Sequence, residues 1–252
     1  MAARKKGQGG FGVVRVQTER ERDQYVAALV SQWESEAKRK AAEKGDLPFV
    51  TISRHFGCKA MEFGLRLAER LNQRKGTDGN WTVFDQEIVR RIAQDLRMSR
   101  ALTDLLTEGS QARITSYMTS FFYQRPTQDE IFRNTVRVVR SLCEKGHTVV
   151  IGRGGCRIGA DLPKGFHLRL TAPLEWRTKQ VMATYGLTEQ ESLERIRLMD
   201  KERESYFRTN FQADLDDPAF FDLVLNQARF PMDGLLDVVV KGMEARGLLP
   251  PG

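Results

Sequence analysis

Phe49-Val50-Thr51-Ile52-Ser53-Arg54-His55-Phe56-Gly57-Cys58-Lys59-Ala60 is the stretch on which the reading of this 252-residue chain turns. Its first five residues are rich in apolar and β-branched side chains, which predicts a short buried strand. Polar residues and a glycine stop that strand. A helix is expected next, with Met61, Leu65, Ala68 and Leu71 on its apolar side. A strand, a tight glycine turn and a helix N-terminus form a nest of backbone N–H groups, and the helix dipole adds attraction for an anion. The full phosphate-loop spacing, GxxxxGK followed by Ser or Thr, is not met. Gly57 matches one internal glycine, Lys59 stands one place early, and Ala60 occupies the lysine slot. A purely structural turn accounts for the local pattern equally well.

Upstream of this stretch the first sixteen residues are rich in Gly, Lys and Arg and read as a loose tail. From Thr18 to Lys44 the period becomes helical: Tyr25, Leu29, Trp33 and Ala37 recur every fourth residue, and Thr18 with Glu21 fits a capping box. Such a helix is expected to pack on the main domain, on a protein partner or on a second copy through residues 18–44; the alternative is a helix on nucleic acid or a membrane surface, against which the acidic residues interrupting any basic face argue. Gly45-Asp46-Leu47-Pro48 breaks it, so residues 1–46 are expected to be a basic tail with an amphipathic helix, and 47–252 the main domain. Downstream, strands are expected at Trp81–Phe84, Thr148–Ile151, Gly165–Leu170 and Phe221–Leu225. Helices are expected at Gln86–Leu96, within 99–145, at Pro173–Tyr185, at Thr188–Arg208 and at Gly234–Arg246. Strands alternating with helices long enough to cross over argue for a parallel α/β sheet.

Composition narrows the function classes. The chain carries 40 Lys+Arg and 33 Asp+Glu, a formal charge of +7, with 40% hydrophobic and 29% charged residues. Residues 1–46 hold ten basic and seven acidic side chains, +3, and the rest supplies +4. Neither part is a basic tract of the kind that dominates phosphate-backbone binding, so charge alone does not argue for nucleic acid. No stretch approaches the roughly 18 uncharged apolar residues of a membrane span, and no apolar core follows the basic N-terminus to make a secretory signal. Cys58, Cys143 and Cys156 are too scattered for a disulfide framework, and the three histidines lack zinc spacing, so no metal site is expected from side chains. A reducing cytoplasm is the expected compartment.

Candidate polar residues cluster just after the strands, where open α/β sheets bind ligands. Asp85 ends the second strand, with Arg90 and Arg91 on the next helix; an N-cap and a solvated face are the alternative. Gly152-Arg153-Gly154-Gly155 lets the backbone approach a ligand and offers an arginine fork for phosphate or carboxylate. The stretch 195–208 is dense in cations. It reads either as a helix laced with ion pairs or as an arginine-bearing lid over phosphates. No G-x-S-x-G elbow is present, which disfavours a serine hydrolase.

The ordered set Ile52-Ser53-Arg54-x-Phe56-Gly57, Phe84-Asp85-x-Glu87-Ile88, Val150-x-Gly152-Arg153-Gly154, Thr171-Ala172-Pro173-Leu174-Glu175-x-Arg177, Asp200-x-x-Arg203-x-x-Tyr206 and Asp222-Leu223-Val224-Leu225-Asn226 resembles the cytidylate-kinase-like family of P-loop proteins. The resemblance spans roughly Phe49 to Glu244 and leaves the first 46 residues outside. It implies a P-loop NTPase-like parallel sheet flanked by helices, with a helical lid, to which this chain adds an N-terminal helix. It further implies that Gly57, Cys58, Lys59 and Ala60 form the phosphate loop, and that Asp85 and Arg91 recognise a nucleoside monophosphate. Arg153 would hold the phosphate of that nucleotide. Lys59, Arg153, Asp200 and Arg203 would serve catalysis, with Arg177, Arg195 and Arg208 as helpers in the lid. ATP is then the phosphoryl donor and Mg²⁺ its companion.

The loop itself departs from the family. It reads Gly57-Cys58-Lys59-Ala60-Met61, without the loop lysine, and Met61-Glu62 supply no hydroxyl for Mg²⁺. Two expectations follow. The leading one is an ATP-dependent kinase phosphorylating a nucleoside monophosphate of the CMP or dCMP type. The alternative is a non-catalytic nucleotide-binding regulatory or interaction module with a degenerate phosphate loop.

Overall fold

The run Phe49–Arg54 becomes β1, the central strand, because it is apolar on both faces. Phe49, Val50, Thr51 and Ile52 are each at most 1% exposed, as a strand covered by helices on both sides requires. The structure is a computed structural model and describes residues 47–74, 80–93 and 128–251. After β1 come α1 (Ala60–Gln73), β2 (Thr82–Phe84), a helix α2 at 86–93, and α3 (Gln128–Lys145). Next are β3 (Thr148–Ile151), the short α4 (Gly155–Ile158), β4 (Gly165–Thr171), α5 (Leu174–Tyr185) and α6 (Glu189–Phe211). A 3₁₀ turn (Pro218–Phe220), β5 (Leu223–Asn226) and α7 (Met232–Ala245) complete the described chain.

All described strand pairs are parallel, in the order β2-β3-β1-β4-β5. This is the expected α/β architecture, a parallel sheet flanked by helices. One core cluster packs Val50 and Ile52 against α1 and α7 through Phe63, Leu67, Leu71, Leu236 and Val239. The other packs Phe49 and Val150 against α2 and α3 through Ile88, Ile92, Val139 and Leu142. The period of two along β1 thus sends alternate residues to opposite layers.

Several boundaries differ from the expected ones for visible reasons. Trp81 precedes β2 because its N–H donates to Asn72 Oδ1 at 2.6 Å instead of joining the sheet. β5 starts at Leu223 because the Phe221 N–H closes the preceding turn on Pro218 O at 3.0 Å. On α1 the buried stripe is Ala60, Phe63, Gly64, Leu67, Ala68 and Leu71, and Met61 is 39% exposed, so the helix is rotated from the expected face. Thr188 caps α6 in a capping box with Glu191, and the helix continues beyond Arg208, where the Phe207 and Phe211 rings pack at a tilt with centroids 5.0 Å apart. The expected helix at 18–44, the boundary at 46, Leu96 and the aromatic cluster at 117–123 lie outside the described residues. Among the described residues, no helix is long and apolar enough to cross a membrane.

Candidate functional site

The carboxyl ends of β1, β3 and β4 deliver the β1–α1 turn, the β3–α4 turn and the start of α5 to one edge of the sheet. Helix α6 leans over that edge. Its inner stripe follows helical spacing, Ile196, Asp200, Arg203 and Phe207, with Ile196 and Phe207 buried.

The β1–α1 turn is tightly enclosed. Its Phe56 N–H donates to Asp200 Oδ1 at 2.7 Å, and its Lys59 N–H donates to Gln227 Oε1 at 2.9 Å. Gly57 has φ +87, and a Cβ there would stand 2.9 Å from Arg177 Cβ and 3.0 Å from Arg177 O, so α5 lies directly against it. Ala60 turns into the core at 5% exposure. Lys59 is exposed, with its Nζ 3.9 Å from Glu62. Burial pushes the Cys58 thiol up to about 11, against nearby Arg177, so it is a protonated thiol at neutral pH.

Arg177 is a clamp. It is 8% exposed, and it donates from Nε to Ala172 O at 3.1 Å and from Nη1 to Phe56 O at 3.0 Å and Asp200 Oδ2 at 2.6 Å. Three segments, β1–α1, α5 and α6, are thereby tied by one guanidinium. Asp200 closes the arrangement, accepting from the loop and from Arg177, with Arg203 Nη1 at 3.7 Å.

The β3–α4 turn is built differently. Arg153 adopts φ +55, a left-handed conformation uncommon for a side chain of this size. Its guanidinium lies 5.5 Å over the Tyr206 ring of α6, and it makes no ion pair among the described residues. Arg203 packs 5.3 Å over Phe56; burial lowers its pKa, only partly offset by Asp200. Arg54, at the end of β1, completes this neighbourhood. Burial, then Arg203 and Arg153, hold its pKa down at about 9.

Of the residues expected to bind or catalyse, the structure brings Arg153, Asp200 and Arg203 to one edge. Asp85 caps α2, accepting from Glu87 N at 3.0 Å and Ile88 N at 2.9 Å, and its charge still reaches Arg54. Arg91 Nε donates to Glu87 at 3.2 Å, on its own helix. Arg195 lies 4.2 Å over Tyr185, itself stacked on Phe56, and is thus a packing cation at the base of α6. Arg208 is exposed and joins none of these groups.

Three residues were missed in the sequence. Arg54 stood inside the decisive stretch, but only the sheet register shows what it faces. Arg169 is a charged residue within a buried strand. It pairs with Asp216 and lies 3.3 Å from His55 Nε2, whose pKa burial and then Arg169 depress. Gln227 was unmarked, and no local signal identifies it. Among the described residues, no cluster of three or more His, Cys, Asp or Glu could hold a metal. With no hydroxyl at the start of α1 and Asp200 already engaged, these described residues build no resident Mg²⁺ site.

The family model described as cytidylate kinase-like family matches residues 49–229. A crystal structure of an uncharacterized protein from Eubacterium ventriosum has the same fold, with TM-score 0.60 and 19% identity, covering 79% of this chain and 99% of that one. A shikimate kinase from Bacteroides thetaiotaomicron aligns with TM-score 0.44 and 12% identity over 78% of this chain and 98% of that one. Among curated proteins, a uronate isomerase from Corynebacterium glutamicum is 28% identical over 109 residues, 43% of this chain. This chain spans about a fifth of that relative's length, 21%.

Proposed function

The chain belongs to the cytidylate kinase-like family, and on that premise we propose that it is a nucleoside monophosphate kinase acting on CMP or dCMP with ATP as donor. The observation that carries the reading is the gathering of Arg153 and Arg203 around Arg54 at the carboxyl edge of the sheet, with Arg153 in no ion pair among the described residues and Arg203 reaching Asp200 at 3.7 Å. In this reaction a phosphate oxygen of the acceptor forms a bond to the γ-phosphorus as the bond to the β-phosphate oxygen breaks, leaving ADP. No covalent enzyme intermediate is required. The protein aligns the two nucleotides and spreads positive charge around the transferring group. Arg153 holds the acceptor phosphate, and Arg203 arrives with α6, whose movement would exclude water. Asp85 and Arg91 contact the acceptor nucleoside, and Lys59 reaches the donor phosphates.

Coupled detection of ADP with a panel of nucleoside monophosphates, Mg²⁺ and ATP tests this. The expected result is turnover with CMP or dCMP above the other acceptors. No ADP and no nucleoside diphosphate with any acceptor would overturn it.

A second reading rests on the β1–α1 turn. Two of its N–H groups already bind Asp200 and Gln227, and Ala60 lies in the core. These contacts support a nucleotide-binding module without turnover, which calorimetry would reveal as nucleotide binding in a protein inactive in the ADP assay.

A further inference from the structure

Arg54 takes no part in the reading above, yet its surroundings are unusual for a charged side chain. It is the last residue of β1, and Ile52 is the register partner of Ile151 on β3. The Gly152 N–H donates to Ile52 O at 2.9 Å. Two residues further along each chain, Arg54 and Arg153 therefore stand side by side at the sheet edge. The Arg54 guanidinium rests on the bare backbone of Gly152, where a Cβ would collide with Nη1. Arg203 approaches from α6 through its contact with Phe56, two residues after Arg54.

No hydrogen bond or ion pair satisfies Arg54 among the described residues. Asp85 is the acid whose charge reaches it, but that carboxylate caps α2. Three guanidinium groups in a partly desolvated space repel one another unless an anion joins them. The geometry also selects the anion. A carboxylate offers two oxygens in one plane, whereas a phosphoryl group presents oxygens in tetrahedral directions that suit several planar forks at once.

We propose that Arg54 is a phosphate-binding residue, forming with Arg153 and Arg203 a three-guanidinium seat for one phosphoryl group between the ends of β1 and β3. The proposal rests on the kinase reading only in naming that group as the acceptor's phosphate; the binding itself needs no turnover. Gly152 is the floor of the seat, and the absence of a side chain there lets Arg54 lie flat.

The test uses the full chain, with Arg54→Met (similar length, no charge) and Arg54→Lys (charge without the fork). Thermal unfolding is followed with and without inorganic phosphate, and calorimetry titrates CMP. Without ligand, Arg54→Met is expected to melt at or above the parent temperature, because it removes an uncompensated cation. Phosphate is then expected to raise its melting temperature no further, and CMP to bind roughly 10- to 100-fold more weakly. Arg54→Lys is expected to fall between the two. Parent-like CMP affinity in Arg54→Met, within twofold, overturns the proposal whatever turnover does. So does a parent protein that binds neither phosphate nor CMP. Should Arg54→Met fail to fold, Arg54→Lys decides: weakened phosphate binding with an intact melting temperature supports the seat, and parent-like binding refutes it. A parent that binds both ligands through Arg54 without producing ADP removes the kinase reading and leaves the seat standing.

Discussion

The turns after β1 and after β3 emerge from neighbouring strands at the same edge, and both carry glycine, yet they are electrically opposite. In the first, backbone donors are already matched by side-chain acceptors, Asp200 on Phe56 and Gln227 on Lys59, and α5 closes over Gly57. In the second, a strained Arg153 presents its charge without a carboxylate. The signature of strand, glycine and helix points to the first turn as the anion site. The positive charge without a carboxylate partner among the described residues lies instead between the two turns, on Arg54 and Arg153, beside Arg203, which shares Asp200 with Arg177. A glycine turn supplies an anion nest only if nothing else in the fold accepts from its N–H groups.

The sharpest way to break this comparison is Arg153→Gly. Turnover with CMP is expected to fall roughly 10²- to 10³-fold, the usual loss for one preorganised donor at a charge-developing centre. Stability should barely move, because relief of the left-handed strain (about 1 kcal/mol) and the added backbone freedom of glycine (about 0.5–1 kcal/mol) oppose each other. An unchanged kcat/KM would show that the second turn is not where phosphate is held.

Asp200→Ala probes the first turn. It leaves the Phe56 N–H and the buried Arg177 without their acceptor, and a loss of roughly 3 kcal/mol is expected in urea unfolding. Millimolar phosphate should recover part of that loss by occupying the vacated nest. A variant as stable as the parent would mean that Asp200 does not close the turn.

Gly57→Ala should cost about 1–3 kcal/mol, since the methyl meets the Arg177 backbone in a positive-φ position. A neutral result in the same unfolding assay would show that α5 is not seated against the loop.

The smallest effect concerns pH. Burial and the nearby Arg169 and Arg177 depress the folded-state pKa of His55, while burial depresses that of His167. The unfolded chain therefore binds more protons as pH falls below about 6.5. Stability is full above that value and is lost as pH drops through it toward the folded-state values. Melting temperatures between pH 7.5 and 5.5 should decline, and less steeply in His55→Gln.

Much of the fold was legible because its strands are contiguous apolar runs. Thr148–Ile151 lies entirely within a core that buries both faces, so no periodicity had to be resolved. Helix α1 was harder. Met61 fits an apolar face as well as Phe63 does when only spacing is known, and the sheet decides between them. In the candidate site, Arg153 was readable from its glycines and Arg203 from its place on a charged helix. Arg177 carried the same apparent meaning, but the fold uses it as a clamp, since its donors meet carbonyls and Asp200 before any ligand arrives.

Hydrophobic patterning along the chain determined the alternation of strands and helices, and glycine placement determined where the chain turns at the sheet edge. Both are local properties, expressed over a few residues. The occupancy of the first turn and the position of the positive charge were decided by tertiary structure. Phe56 meets Asp200 across 144 residues, and Lys59 meets Gln227 across 168. Such contacts depend on strand order and register, which place β3 and β4 on either side of β1. An arginine's neighbours in space, rather than its neighbours in the chain, determine whether its charge is paired or left for a ligand.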